Sequence, residues 1–245
     1  MFVGFDKLKV GRLVEYFYQS NLRKGVRLVR GSDFQKLERE LSKSTEKPQL
    51  TEHFRRSLNT YTPANAFWLA GYNEDGKLIA VAAARLDQLG VWTLDRYWRE
   101  YWPRCYPDEE SRPVQLDEFQ YGFTSEITGN VIYLGEMWVD SGHLRKNVAG
   151  DYSKALMMLC ILEWEFEWLY AWGRPSFLDR GFAHKCGFSR VWPGIRWRRG
   201  PSTIDQDLKV MANSRSDLLD LVDALAFEFL SEENNKISNE DRYLR

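Results

Sequence analysis

Residues 131–156 read VIYLGEMWVDSGHLRKNVAGDYSKAL, and this stretch carries the strongest fold signal in the chain. Over 131–139 both alternating faces are apolar except at Glu136, which is typical of a central strand covered on both sides. A polar loop over 142–150 follows, and the pattern from Asp151 to about Trp164 predicts a buried helix. A further strand over 166–172 would complete a strand–helix–strand unit.

The start of the predicted helix is a candidate anion site. Backbone N–H groups in the first turn of a helix lack partners within it, and the helix dipole is positive at that end. A diphosphate can bind those amides where no bulky side chain blocks its approach. Ala149 and Gly150 supply small residues at this position.

The segments on either side of this unit predict more strands and helices. On the N-terminal side these are strands at 26–30, 66–72 and 78–84, with helices at 33–43 and from Thr51 onward. On the C-terminal side they are a helix at 176–185 ending at Gly187, a strand at 190–198, and an amphipathic helix capped by Ser214 or Ser216. The order predicts an α/β protein with a mixed sheet and helices on both faces.

The loop before the predicted helix resembles the cofactor motif of the GNAT superfamily, the acyl-CoA-dependent N-acetyltransferases. That family carries R/Q-x-x-G-x-G/A between its fourth strand and third helix, where the diphosphate of acyl-CoA binds. One register matches Arg145 with Val148 and Gly150, and another matches Asn147 with Gly150 and Tyr152. Both registers stay open.

A second segment also resembles this superfamily. Residues 176–188 read SFLDRGFAHKCGF and end in the Lys-x-Gly-Phe pattern with which the family often closes its fourth helix. Ser176 stands where Asn is common. Ala183 stands in place of the usual Tyr, often the general acid of the family, so no proton donor is assigned.

The resemblance implies a GNAT-like acyl-CoA N-acyltransferase fold, with acetyl-CoA or another acyl-CoA as co-substrate. It implies transfer of the acyl group to a small-molecule or peptide amine. The residues that it assigns to CoA binding are Met137, Val139, Arg145, Asn147, Ala149, Gly150, Asp151, Tyr152, Ser153 and Ser176.

Glu136 is the candidate catalytic residue. A carboxylate in an otherwise apolar strand can take a proton from an acceptor amine, as a general base does. The alternative is a structural ion pair between Glu136 and an arginine.

Residues 91–117 form an aromatic insert between the hairpin and the central strand. Residues 91–104 predict a helix in which Leu94, Trp98 and either Tyr101 or Trp102 share one face. A segment of this length is usually functional or disordered, and its large rings need cover. Trp98 and Trp102 are therefore candidate acceptor-binding residues, in an acceptor pocket or a protein interface.

Composition narrows the choice of function. A net charge of -1 gives no broad basic field for nucleic acid, and three scattered cysteines and three scattered histidines favour neither disulfides nor a metal site. No secretion signal or spanning segment is visible, so a cytoplasmic protein without membrane attachment is expected.

The predicted organisation is an N-terminal extension over 1–25, one GNAT-like domain over 26–230, and a charged tail over 231–245. Two alternatives to an acyltransferase stay open: a non-catalytic GNAT-fold module that binds CoA or another protein, and an enzyme similar to acyl-homoserine-lactone synthases. The sequence also leaves open a homodimer.

Overall fold

A computed structural model describes residues 4–106, 112–146 and 148–243. Its helices are α1 (Lys7–Arg23), α2 (Phe34–Leu41), α3 (Leu94–Cys105), α4 (Phe123–Glu126), α5 (Val148–Glu163), α6 (Pro175–Leu178), α7 (Phe182–Lys185) and α8 (Arg215–Tyr243), with a 3-10 helix at Ser141–Lys146. Its strands are β1 (Arg27–Gly31), β2 (Ala66–Tyr72), β3 (Leu78–Gly90), β4 (Gln115–Leu116), β5 (Gly129–Val139), β6 (Trp168–Gly173), β7 (Arg190–Trp192), β8 (Trp197–Arg199) and β9 (Lys209–Ser214).

Seven strands form the main sheet, in the order β1-β2-β3-β5-β6-β9-β7. The β5–β6 pair is parallel, and the other neighbours in this sheet are antiparallel. The β2–β3 hairpin turns at Gly76, whose φ of 74° is readily adopted only by glycine. The fold class predicted from the sequence, a mixed sheet with helices on both faces, is confirmed.

Each face of the sheet is covered by its own hydrophobic core. One core includes α1, α5 and the start of α8, and α1 packs along α5. The other core includes α2, α3 and the segment around Phe54. We call these the α5 face and the α3 face. The candidate CoA-binding helix and the aromatic insert therefore lie on opposite faces.

Local structure differs from the sequence prediction at both ends of the chain. Residues 7–23, predicted as part of an extension, form α1, which is capped by the Asp6 carboxylate. Strand β9 was not predicted, yet it lies between β6 and β7 in the sheet. The charged tail continues α8 as far as Tyr243.

Three other segments are also divided or replaced. The helix predicted from Thr51 is a series of turns, and the Thr51 amide and hydroxyl donate to Glu136. The helix predicted at 176–185 is two short helices, α6 and α7, with Gly181 between them at a φ of 76°. The strand predicted at 190–198 is divided at Pro193 and Gly194, and its second half, β8, pairs with β4 outside the main sheet.

Candidate functional site

The main sheet opens between its two parallel strands. Strands β5 and β6 pair from Val131 with Trp168 to Leu134 with Ala171. Strand β5 then continues to Val139 without further described pairing to β6. An edge of β5 with unpaired backbone groups can accept hydrogen bonds from, and donate them to, an extended ligand.

A bulge lies in the open half of β5. The register with β3 passes from Ala83 opposite Gly135 to Val81 opposite Trp138, so Glu136 and Met137 together face a single residue. Glu136 has a φ of 59° and is the only non-glycine residue with a positive φ in the described part of the chain. Backbone strain of this kind is concentrated at functional sites.

The Glu136 carboxylate is completely buried and held by two neighbours. Its Oε1 accepts a hydrogen bond from the Thr51 amide at 2.8 Å and another from the Thr51 hydroxyl. Its Oε2 lies 2.8 Å from the Lys47 ammonium, at an angle outside hydrogen-bond geometry. The counter-ion of Glu136 is therefore a lysine, whereas the ion pair considered from the sequence had an arginine in this position.

Residues 43–51 run along this half of β5 and are called the strap. Lys47 and Thr51 fix it to Glu136. Glu46 fixes it further along, because the Ser141 hydroxyl and amide donate to its carboxylate at 2.9 and 3.2 Å. Three residues beyond the strap, Phe54 packs in the core of the α3 face. The strap therefore lies on the face opposite α5.

The start of α5 is described from Val148. Gly150 is buried and Ala149 is partly buried against the core. The Asp151 carboxylate lies 2.5 Å from the ammonium of Lys24, which directly follows α1, and accepts a hydrogen bond from Ser20. Because Lys24 offsets its charge, Asp151 repels an anion at the helix start less than a free carboxylate would.

The other predicted CoA contacts are scattered around this point. Tyr152 is buried, with its hydroxyl donating to the Leu69 carbonyl, and Ser153 is buried as well. Their side chains thus pack into the protein. Val139 is buried, whereas Met137 and Ser176 are exposed. Arg145 lies in the 3-10 helix with its side chain outside the described part, and Asn147 lies outside the described residues.

Helix α3 of the insert turns its aromatic face into the core. Trp98 and Trp102 are 1% and 2% exposed, and both rings contact Trp172 of β6, at centroid distances of 4.9 and 5.6 Å. In this conformation neither indole lines an open pocket. The insert packs on the α3 face, where its indole rings contact β6 and the Tyr101 hydroxyl accepts a hydrogen bond from Arg85 of β3.

Sequence reasoning missed a buried polar cluster on the same face. The Arg85 guanidinium places Nε 3.0 Å from both Asp87 oxygens, and its Nη1 donates to the His53 carbonyl at 2.8 Å and to the Tyr101 hydroxyl. The same guanidinium lies over the rings of Tyr101 and Tyr133. These residues come from four separate segments of the chain, so no local pattern could have identified them.

Burial perturbs the titration of this cluster. Burial lowers the pKa of His53 well below its usual value, and the Arg85 charge adds to the effect. Burial also raises the pKa of Asp87 in spite of the attraction of Arg85. The Tyr61 hydroxyl, which donates to the His53 carbonyl, has its pKa raised by burial to about 12. His53 is therefore neutral near pH 7.

Two features are absent from the described residues. The ranges 4–106, 112–146 and 148–243 contain no group of three His, Cys, Asp or Glu side chains placed to hold a metal ion. Within those ranges, no helix combines the length and the apolar character that crossing a bilayer requires.

No protein-family model matches this chain, and no curated protein matches it significantly. Among solved structures, the aminoglycoside acetyltransferase AAC(6')-Ib in complex with coenzyme A and kanamycin aligns at 16% identity and a TM-score of 0.42, with 78% of this chain and 96% of that chain covered. FeeM, an N-acyl amino acid synthase from uncultured soil microbes, aligns at 14% and 0.42, covering 77% and 91%. The GNAT domain of S. lividans PAT aligns at 10% and 0.40, covering 77% and 90%. The fold class of this chain, a mixed sheet with helices on both faces, rests on its own strand order and on the sheet that opens between β5 and β6.

Proposed function

We propose that this protein is an acyl-CoA-dependent N-acyltransferase that acts on a small-molecule or peptide amine. The observation that carries the proposal is the divergence of β5 from β6 beyond Leu134, with the start of α5 following the same strand. An open strand edge can hydrogen-bond the amide-containing arm of CoA, and a helix start can bind its diphosphate. Small residues at Ala149 and Gly150, and the pairing of Asp151 with Lys24, support the fit.

Within this proposal the protein contributes alignment more than activation. A thioester is already reactive, so holding the amine against its carbonyl supplies most of the acceleration. Backbone N–H groups of the open half of β5 would polarise that carbonyl. Glu136 would accept the proton of the amine once the amine displaces the Lys47 ammonium from it.

The CoA site is tested by adding charge at the start of α5. Ala149→Glu places a carboxylate in the first turn of α5. There it interacts favourably with the helix dipole but repels a diphosphate. We expect its affinity for CoA, measured by titration calorimetry, to fall by about tenfold or more, which corresponds to about 1.4 kcal/mol. Ala149→Gln has a side chain of similar size without charge and is the matched control. Equal affinities of the two variants would place the diphosphate elsewhere.

The role of Glu136 is tested by Glu136→Gln. If Glu136 is the general base, the acylation rate should fall by about 10²-fold or more while CoA affinity is kept. Glu46→Gln changes a carboxylate of the same strap region outside the proposed chemistry and serves as the control. An unaltered pH–rate profile in the Glu136→Gln variant would assign the base to another residue.

A second candidate function is a non-catalytic CoA-binding or protein-interaction module. The engagement of Glu136 by Thr51 and Lys47 favours it, as does the filling of the α3 face by rings of the insert. Release of free CoA thiol from acetyl-CoA with a panel of amines separates the two. Binding of CoA without release in any reaction would support the module.

A further inference from the structure

A primary amine already lies at the candidate base. The Lys47 Nζ is 2.8 Å from Glu136 Oε2, with the lysine side chain 17% exposed and the carboxylate fully buried. This is the position that an acceptor amine would have to take in order to give its proton to Glu136. Among the described side chains, Lys47 is the one whose ammonium forms an ion pair with this carboxylate.

The strap holds Lys47 in place from both sides. Thr51 binds the opposite carboxylate oxygen, and Glu46, the residue before Lys47, binds Ser141 just beyond the end of β5. The Ser44 hydroxyl also accepts a hydrogen bond from the Lys47 amide at 3.2 Å. The amine is therefore fixed beside the open half of β5 by contacts at both of its flanks, so little conformational freedom is left to lose.

One oxygen of the Glu136 carboxylate lies beside the amine without a hydrogen bond of its own. Glu136 Oε2 has no hydrogen-bond partner among the described residues, although it is buried. The ion pair satisfies its charge but leaves a lone pair available for a proton. A buried carboxylate oxygen in this state is a suitable proton acceptor.

We propose that Lys47 is a self-acylation site, modified by an acyl-CoA bound along β5. The inference rests on the proposed function, because it needs acyl-CoA at that site. The Lys47 ammonium gives one proton to Glu136, and its nitrogen forms a C–N bond to the thioester carbonyl carbon. The C–S bond breaks, and the thiolate leaves as the CoA thiol with the second proton. One proton stays on the new amide, and no oxidant or further reactant is needed.

The modification changes the anchoring of the strap. Acylated Lys47 carries no positive charge, so the ion pair with Glu136 is lost while the two Thr51 hydrogen bonds stay. The strap then keeps Thr51 and Glu46 as its anchors to β5. Self-acylation would also stop after one acyl group per chain, because no second amine of the described residues pairs with the Glu136 carboxylate.

Lys43 is the matched control for acylation by acyl-CoA in solution, which does not require binding at the proposed site. It belongs to the same strap, its side chain is 70% exposed, and it pairs with Glu40 on α2. Acylation by thioester in solution favours exposed amines, so it should modify Lys43 before the nearly buried Lys47. Acylation at the site reverses this order.

The experiment incubates the full chain with acetyl-CoA, and separately with decanoyl-CoA, and follows both lysines by peptide mass spectrometry. Affinity for CoA is measured on the same preparation by calorimetry. We expect the rate at Lys47 to exceed that at Lys43 with at least one donor. In Glu136→Gln the rate at Lys47 should fall by about 10²-fold, while that at Lys43 is unchanged. Lys43→Arg should leave the Lys47 adduct intact.

The outcomes separate the two proposals. If CoA binds and Lys47 stays unmodified with both donors, self-acylation is overturned and the proposed function stands. Equal rates at Lys43 and Lys47 mean chemical acylation only and also overturn the inference. If CoA does not bind, the proposed function fails and the inference fails with it. The ratio of the acylation rate at Lys47 to that at Lys43 in the wild-type protein tests self-acylation even if the Glu136→Gln variant does not fold.

Discussion

The two faces of the sheet are built from different chemistry. On the α5 face, the fully buried side chains of α5 are largely aliphatic or thioether groups such as Leu156 and Met157. On the α3 face, the core is aromatic and encloses Arg85 and His53, with Glu136 at its edge beside the strap. The α5 face is stabilised by the burial of apolar side chains. The α3 face also depends on a connected set of hydrogen bonds and ion pairs.

This difference changes what a substitution costs. An apolar side chain on the α5 face contributes according to the area and volume that it fills. A polar member of the α3 cluster cannot be removed alone, because its former partners are then buried without hydrogen bonds or counter-charge. The α3 face should therefore respond less additively to mutation than the α5 face.

The largest effect is expected at Arg85. Arg85→Met removes the partner of Asp87, the His53 carbonyl and the Tyr101 hydroxyl at once. We expect the free energy of unfolding, measured by chemical denaturation, to fall by about 3–5 kcal/mol. Adding Asp87→Leu should recover part of that loss, because no buried charge then lacks its partner. A single variant within about 1 kcal/mol of wild type would show that the cluster is not a stabilising network.

The next comparison sets Trp98 against Leu156, both buried but on opposite faces. Trp98→Ala should lower the free energy of unfolding by about 3–5 kcal/mol, and Leu156→Ala by about 2–5 kcal/mol. If Trp98 is purely a core residue, its variant keeps CoA affinity and, at a temperature where it is folded, acceptor preference. Changed acceptor use with only a small stability loss would instead support the acceptor-binding role predicted for Trp98 and Trp102.

The smallest effect concerns His53 and pH. Its pKa is about 6.5 in the unfolded chain and well below that in the folded protein. Below about pH 6.5 the unfolded chain binds a proton that the folded chain refuses, so stability falls on acidification. The slope attributable to one group reaches about 1.4 kcal/mol per pH unit. His53→Gln should remove this part of the slope, and the exposed His184→Gln should not. Identical slopes in all three proteins would contradict the assignment.

The parts of the fold that were predicted correctly are those with strong local patterns. The β2–β3 hairpin, the central strand β5 and the buried helix α5 each show their periodicity and turn residues within a short window. Thr51 shows the limit of such reasoning. Thr51 is a residue type that often caps helices, but in the structure its amide and hydroxyl donate to Glu136, which is 85 residues away in the sequence. A local rule cannot weigh a partner that only folding brings near.

The sequence points to candidate site residues but not to the groups that pair with them. The sequence identified Glu136 as the unusual residue of an apolar strand and Gly150 as part of a small-residue helix start. It did not indicate that Lys47 would pair with that carboxylate or that Lys24 would pair with Asp151. Both lysines come from polar segments far away in the sequence, where a charged residue is unremarkable by itself.

The sequence by itself therefore determined the mixed α/β class, the hairpin, the central strand with its single carboxylate, and the helix that follows. Each of these follows from residue patterns within short segments of the chain. Only the tertiary structure shows how deeply Trp98 and Trp102 of the insert are buried, that Arg85 and His53 share a buried cluster, and that the strap contacts Glu136. Those outcomes depend on which distant groups compete for the same buried donors, acceptors and charges. That competition is settled by the packing of the whole chain.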